Sequence, residues 1–250
     1  MTPSPILKVL STLTKSGVRS LLMGGQACVL YGGAEFSRDT DVLVLADDAN
    51  LERLTAALDA LEADVIAVPP FERRHLKRGL AIHFRCRAPG AAGMRVDVMA
   101  TLRGLPGFET LWDRRTTIET DGGAIEVLSL RDLVTAKKTQ RDKDWPMIAR
   151  LVEADLARHG EARDADSVAL WLEELRTPSL LISLARELPD AARAAIPRRP
   201  LLTHALAGDA VALTAALRAE EDAEREADRL YWAPLRLELE QIRLGRRGPA

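Results

Sequence analysis

The feature that most constrains this chain is a pair of glycines ending one short apolar run, followed by two aspartates opening another. Met23, Gly24 and Gly25 close a run that begins at Val18, and thirteen residues separate Gly25 from Asp39. Arg38, Asp39, Thr40 and Asp41 then lead into Val42, Leu43, Val44 and Leu45. Side chains alternate faces along a strand, so Asp39 and Asp41 point the same way, with Cα atoms roughly 6.5 Å apart. From that spacing both carboxylates can converge on one metal ion. A third acid, Asp97, stands between Val96 and Val98 in another short apolar run. Glycine lets an anion approach the backbone, and a helix starting there offers free N–H groups. Three carboxylates on adjacent strands beside a glycine turn suit Mg²⁺ and a triphosphate.

Each residue also has a plainer reading. Gly24 and Gly25 are equally the makings of an ordinary turn, and Asp39 and Asp41 of a loop before a strand. Asp97 can be held in an ion pair by Arg85, Arg87 or Arg95. The combination weighs more than its members.

Taken together, Gly24, Gly25, Asp39, Asp41 and Asp97 resemble the nucleotidyltransferase superfamily of DNA polymerase β. The pattern there is a hydrophobic residue and Gly-Gly or Gly-Ser, a spacer, Asp-x-Asp, and a third acid on a later strand. The resemblance is closest to the small prokaryotic branch that includes MNT-type proteins and AbiEii-type toxins, and it spans residues 5–155. It implies an α+β nucleotidyltransferase fold, a mixed sheet flanked by helices, followed here by an all-helical C-terminal region. Two Mg²⁺ ions would be held by Asp39, Asp41 and Asp97, with Asp97 on the ion that activates the acceptor hydroxyl. Gly24 and Gly25 would hold the phosphates of an NTP such as ATP. Arg38 would meet a phosphate, or else pair with Asp39. A Lys-bearing helix followed by Arg-x-Lys-Asp is also similar to these proteins. By that likeness Lys137 would reach the phosphates or a substrate anion, and Arg141, Lys143 and Asp144 would support the site or the helix junction; a solvated cationic helix end is the alternative.

The implied activity is Mg-dependent transfer of an NMP from an NTP to a hydroxyl acceptor, which is a protein, a tRNA end or a small molecule. The alternative is a nucleotide-binding partner protein without chemistry, as in toxin–antitoxin pairs, with the acidic stretch 220–226 docking a basic partner through the C-terminal helices. An all-helical scaffold is opposed by the strands before residue 130. No aromatic platform for a base is evident.

Composition narrows the classes. Hydrophobic residues make up 47% and charged residues 29%, and the net charge is −2, so any nucleic-acid surface must be a local patch rather than a global basic field. Cys28 and Cys86 read as buried free thiols in a reducing cytoplasm, and His75, His83, His159 and His204 show no zinc-ligand spacing. No apolar run approaches the roughly 20 residues of a membrane span, and no signal-peptide pattern is seen, so the expected location is cytoplasmic.

Periodicity and punctuation place the elements. Helices are expected over residues 5–15, 26–31 and 51–61, the last capped by Asp48 or Asn50. Strands are expected over 18–23, 41–45, 64–68, 80–87 and 94–100, with a hairpin loop at 89–93. The segment 71–78 carries Arg73, Arg74, Lys77 and Arg78, either a solvated face or an anion-contacting patch. A second hairpin, 116–120 and 124–128, turns at Asp121-Gly122-Gly123, and Ser129 starts a helix running to about residue 140. Pro146 suits the first turn of the next. Beyond it lie helices over 148–158, 167–175 and 180–188 with breaks at Pro178 and Pro189. A boundary is expected around Pro197 and Pro200, and a charged helix over 209–230 is interrupted at 231–234. Leu235, Leu239 and Ile242 stripe the last helix, and Arg243, Arg246 and Arg247 make a basic tail. The expected division is a nucleotidyltransferase-like domain over 1–145 and a helical region over 146–250.

Overall fold

A computed structural model describes residues 4–120 and 123–246. Asp121 and Gly122 of the expected turn, Arg247 and the side chain of Arg246 lie outside the described residues. By contacts the chain divides into two compact units. One comprises Met1–Val29, Glu35–Ala136 and Tyr231–Ala250, and the other Leu30–Ala34 and Lys137–Leu230.

The elements begin with α1 (Ser4–Lys15), β1 (Ser20–Met23), α2 (Gly24–Leu30), β2 (Asp39–Val44), α3 (Asp48–Ala60) and β3 (Asp64–Val65). There follow α4 (Arg73–Arg78), β4 (Ile82–Arg85), β5 (Arg95–Met99), α5 (Phe108–Asp113), β6 (Thr116–Thr120), β7 (Gly123–Val127) and α6 (Leu130–Lys137). The strands form one mixed seven-stranded sheet in the order β3-β4-β5-β2-β1-β7-β6. β2 runs antiparallel to β1 and parallel to β5, and β5 runs antiparallel to β4.

Alternation along the central strands gives the sheet two different faces. Val42 and Val44 of β2, Val96 and Val98 of β5, and Ile82 and Phe84 of β4 are buried with Val9 and Leu13 of α1 and Leu54 and Leu58 of α3. Each such side chain contributes about 1.5–3 kcal/mol on leaving water. The intervening residues Asp39, Asp41, Asp97 and His83 therefore fall on the other face.

α3 starts earlier than its apolar stripe suggests. Asp47 is the cap, its carboxylate accepting from the Asn50 backbone N–H at 2.7 Å. Asn50 instead ties strand ends together. Its Oδ1 accepts from Arg19 N at 2.7 Å, while Nδ2 donates to Arg19 O at 3.0 Å and Leu45 O at 2.9 Å. The strand expected over 64–68 is only Asp64–Val65; Ile66 N still reaches His83 O, after which Pro69 and Pro70 end the pairing.

The second unit is helical: α7 (Asp144–His159), α8 (Ala165–Glu174), α9 (Pro178–Glu187), α10 (Pro189–Ala195) and α11 (Leu202–Ala207), with the first part of α12 (Ala210–Arg246). The helical run breaks at Pro178 and Pro189 as expected, and each proline opens the next helix, where a first-turn proline forfeits no intrahelical bond. The expected boundary near Pro197 falls inside this unit. Arg199 there is 3% exposed, donating to the Leu172 and Leu175 carbonyls and to Glu220. The interruption expected at 231–234 is also absent: α12 runs 37 residues through Pro234. Leu235, beside the proline, is buried, and its packing offsets part of a helix-interior proline's cost of about 3 kcal/mol. No helix among the described residues is long and apolar enough to cross a membrane.

Candidate functional site

The central strands gather the candidate acids. Asp41 pairs in register with Asp97 across the parallel β2–β5 ladder, Asp39 with Arg95, and Met23 with Asp41 on β1. Asp39, Asp41 and Asp97 thus share one face of the sheet, as strand alternation requires. Asp39 and Asp41 lie within the strand itself and not before it.

The glycine pair forms the first turn of α2 and does not precede the helix. Gly24 has φ +68°, and a Cβ there would lie 1.9 Å from Asp41 Oδ2 and 2.7 Å from Asp41 Cβ. The Asp41 carboxylate therefore rests directly on the glycine backbone, an approach only glycine permits. At Gly25 a Cβ would meet Ser37 Oγ at 2.6 Å, and that hydroxyl donates to the Asp39 carbonyl at 3.1 Å. One continuous set of contacts runs from loop residue Ser37 through the glycines to Asp41.

Asp97 is held from two sides. Arg95 donates from Nε to Oδ1 at 2.7 Å and from its terminal nitrogen to Oδ2 at 2.8 Å, a two-pronged grip. His83 Nδ1 stands 2.9 Å from Asp97 Oδ1 and 3.0 Å from an Arg95 nitrogen. A single ring nitrogen serves one of these: protonated it donates to Asp97, bare it accepts from Arg95. Burial pushes the Asp97 carboxyl upward, yet the hydrogen bonds and charges of His83 and Arg95 outweigh it and hold the group below the ordinary aspartate range. The hydrogen bond to Asp97 in turn raises Arg95, against its own desolvation, and the charges of Asp97, Asp39 and Asp41 add to the rise. Of the three arginines weighed as partners for Asp97, Arg95 is the one bonded to it.

The loop before β2 supplies a residue that sequence reasoning missed. Phe36 is 62% exposed, and the Arg38 guanidinium lies over its ring, 6.0 Å from the centroid. The signal was an aromatic residue three positions ahead of Asp39, unremarked because loop residues carry no periodicity. Gln26, in the first turn of α2, is fully buried with neither amide atom bonded.

Other candidate residues are engaged elsewhere. Lys137 is 9% exposed, with Nζ 3.3 Å from Asp144 Oδ1, and Asp144 also accepts from Thr139 and Arg141. These bonds describe a helix junction, one of the two supporting roles expected there; Lys143 stands at the start of α7. In the cationic segment Arg73 pairs with Asp48, Arg74 with Glu72 and Arg78 with Glu238, so its arginines are balanced within the unit. The acidic stretch is balanced too: Glu220 pairs with Arg176 and Arg199, Glu221 with Arg225, and Glu226 with Arg229. A cavity of about 480 Å³ in the second unit has Asp142, Glu221 and Arg225 in its wall, already paired with one another.

The donor set can be tested for fit to the implied cations. Asp39 and Asp41 present oxygen donors from one face, the chemistry a hard ion such as Mg²⁺ takes. Asp97 does not fit equally well, because both its oxygens face the Arg95 fork. Among the described residues no group of three or more His, Cys, Asp or Glu side chains is arranged to hold a metal ion.

No protein-family model matches the chain, and no curated protein does. Among solved structures it is similar to an antigenic nucleotidyltransferase-like protein from Paracoccidioides brasiliensis. The identity is 17% and the TM-score 0.35, over 83% of this chain and 94% of that one.

Proposed function

We propose that the protein is a nucleotidyltransferase, moving an NMP from an NTP to a hydroxyl acceptor as the bond between the α- and β-phosphates breaks and pyrophosphate leaves. The observation that carries this reading is the Asp41 carboxylate seated on the Gly24 backbone, with Asp39 and Asp97 on the same face of the sheet. Asp39 and Asp41 would hold Mg²⁺ together with the phosphates of the nucleotide. When bound, the ion supplies positive charge to stabilise oxygens during in-line displacement at phosphorus.

The chain's own residues set the geometry. Gly24 and Gly25, lacking side chains, leave room for Asp41 and Ser37 to lie against the first turn of α2, which sets where the Asp41 carboxylate stands. Phe36 offers a flat apolar face to a nucleobase, and Arg38 a positive charge beside it. Asp97 and Arg95 form the far wall, where the acceptor hydroxyl would enter. Cys28 and Cys86 are buried and not joined in a disulfide, which suits a reducing compartment. The partner-docking alternative loses its main support, because most of the acidic run is paired within its own unit.

The test is incubation with α-³²P-labelled NTPs and Mg²⁺, offering cell RNA, protein extract and small-molecule acceptors separately. Label should enter one fraction and be lost with Asp41→Asn. Transfer that survives in a folded Asp41→Asn protein refutes the assignment.

A further inference from the structure

We infer that Arg95 is a built-in counter-charge at the third acid, so that the site takes one divalent cation, at Asp39 and Asp41, rather than two. This rests on the proposed function and deepens it. Three observations point the same way. The Arg95 fork engages both Asp97 oxygens, at 2.7 and 2.8 Å, and so sets a positive charge against the carboxylate a second cation would need. The pair is partly shielded, with the Asp97 side chain 14% exposed, unlike a loose surface bridge. Arg95 is also the register partner of Asp39, which places its strand position beside the acid pair as well as two residues from Asp97.

The chemistry follows from charge and geometry. A guanidinium cannot be deprotonated at any working pH, so its charge is permanent. Mg²⁺ demands near-octahedral oxygen donors at short range and gives up its water reluctantly. A second ion at Asp97 would have to displace two charge-assisted hydrogen bonds and sit against a fixed positive charge. The guanidinium supplies that charge without an ion, on a residue of the same strand. His83, 2.9 Å from Asp97 Oδ1, holds the carboxylate from the β4 side.

The experiment counts Mn²⁺ retained per chain at equilibrium dialysis with a non-hydrolysable nucleoside triphosphate analogue. The wild-type protein should retain one ion and Asp41→Asn none. Arg95→Met should retain two, and Arg95→Met combined with Asp97→Asn should return to one. Two ions on the wild type, or one on a folded Arg95→Met protein, would overturn the inference while leaving the nucleotidyltransferase reading intact. No ion on the wild type would overturn the reading itself and the inference with it. If Arg95→Met does not fold, the wild-type count decides alone.

Discussion

Gly24→Ala is the sharpest perturbation of the candidate site, because its effect separates into terms the structure fixes. The residue sits at φ +68°, where an L side chain costs about 1–2 kcal/mol. The new Cβ would also lie 1.9 Å from Asp41 Oδ2, 2.4 Å from Cγ and 2.7 Å from Cβ. Turning the carboxylate relieves only the first two contacts. The Cβ–Cβ approach does not change with any side-chain torsion, so β2 or α2 must shift, at a further cost of about 1–3 kcal/mol. The total of about 2–5 kcal/mol corresponds to a Tm drop of roughly 5–15 °C for a chain of this size. The control is Gly25→Ala. There the crowding atom is the Ser37 hydroxyl at 2.6 Å, the mobile end of a side chain. Losing its bond costs about 1 kcal/mol, and a helical Gly→Ala change returns a similar amount. Thermal melts of both variants, with Mn²⁺ titrations, should show Gly24→Ala strongly destabilised and at least tenfold weaker for Mn²⁺, and Gly25→Ala close to wild type. If Gly24→Ala melts within 2 °C of wild type, or above Gly25→Ala, the seating of Asp41 on Gly24 is wrong.

Phe36→Ala should weaken NTP binding about tenfold while leaving inorganic tripolyphosphate unaffected, since base stacking is worth about 1–3 kcal/mol; equal loss for both ligands in calorimetry rules out a base platform. Asn50→Leu should cost about 2–4 kcal/mol in urea unfolding, because Arg19 N and Leu45 O lose their Asn50 partner and Arg19 O keeps only the Leu45 N–H; a loss below 1 kcal/mol contradicts the latch. Asp144 gives a pH signature. Burial pushes its carboxyl up, but the Lys137 charge, the Thr139 hydroxyl and Arg141 outweigh that and lower it. A depressed folded value means the stabilisation is present above the ordinary aspartate range and is lost as pH falls through the folded value. Asp144→Asn should therefore melt well below wild type at pH 7, by about 3 kcal/mol, with the gap closing below about pH 4. A gap that stays constant from pH 7 to pH 3 excludes the linkage.

Much of the candidate site could be read from the chain because it depends on local rules. Period-two alternation alone puts Asp39 with Asp41 and sends Val42 and Val44 to the core. The Asp41–Asp97 register could not be read in this way, since it is set by a parallel pairing across more than fifty residues of intervening chain. Arg95 was visible as one of three possible partners, and only the ladder chooses among them. The prolines divided. Pro178 and Pro189 mark breaks as read, each opening the next helix, whereas Pro234 looked like an interruption, yet the helix runs past it with Leu235 buried beside it. α5 (Phe108–Asp113) escaped notice because six residues are too few to display a helical period.

β2 is the fourth of seven strands, with paired neighbours on both sides and with Val42, Leu43 and Val44 fully buried. The elements of a sheet that open last are those with no free edge, while a two-residue margin such as β3 frays readily. The acids thus ride on the part of the sheet least given to local opening, and the β2 amides should be among the slowest to exchange with solvent deuterium. A ligand arriving at this face meets carboxylates already mounted on a rigid support and need not organise the strand that bears them.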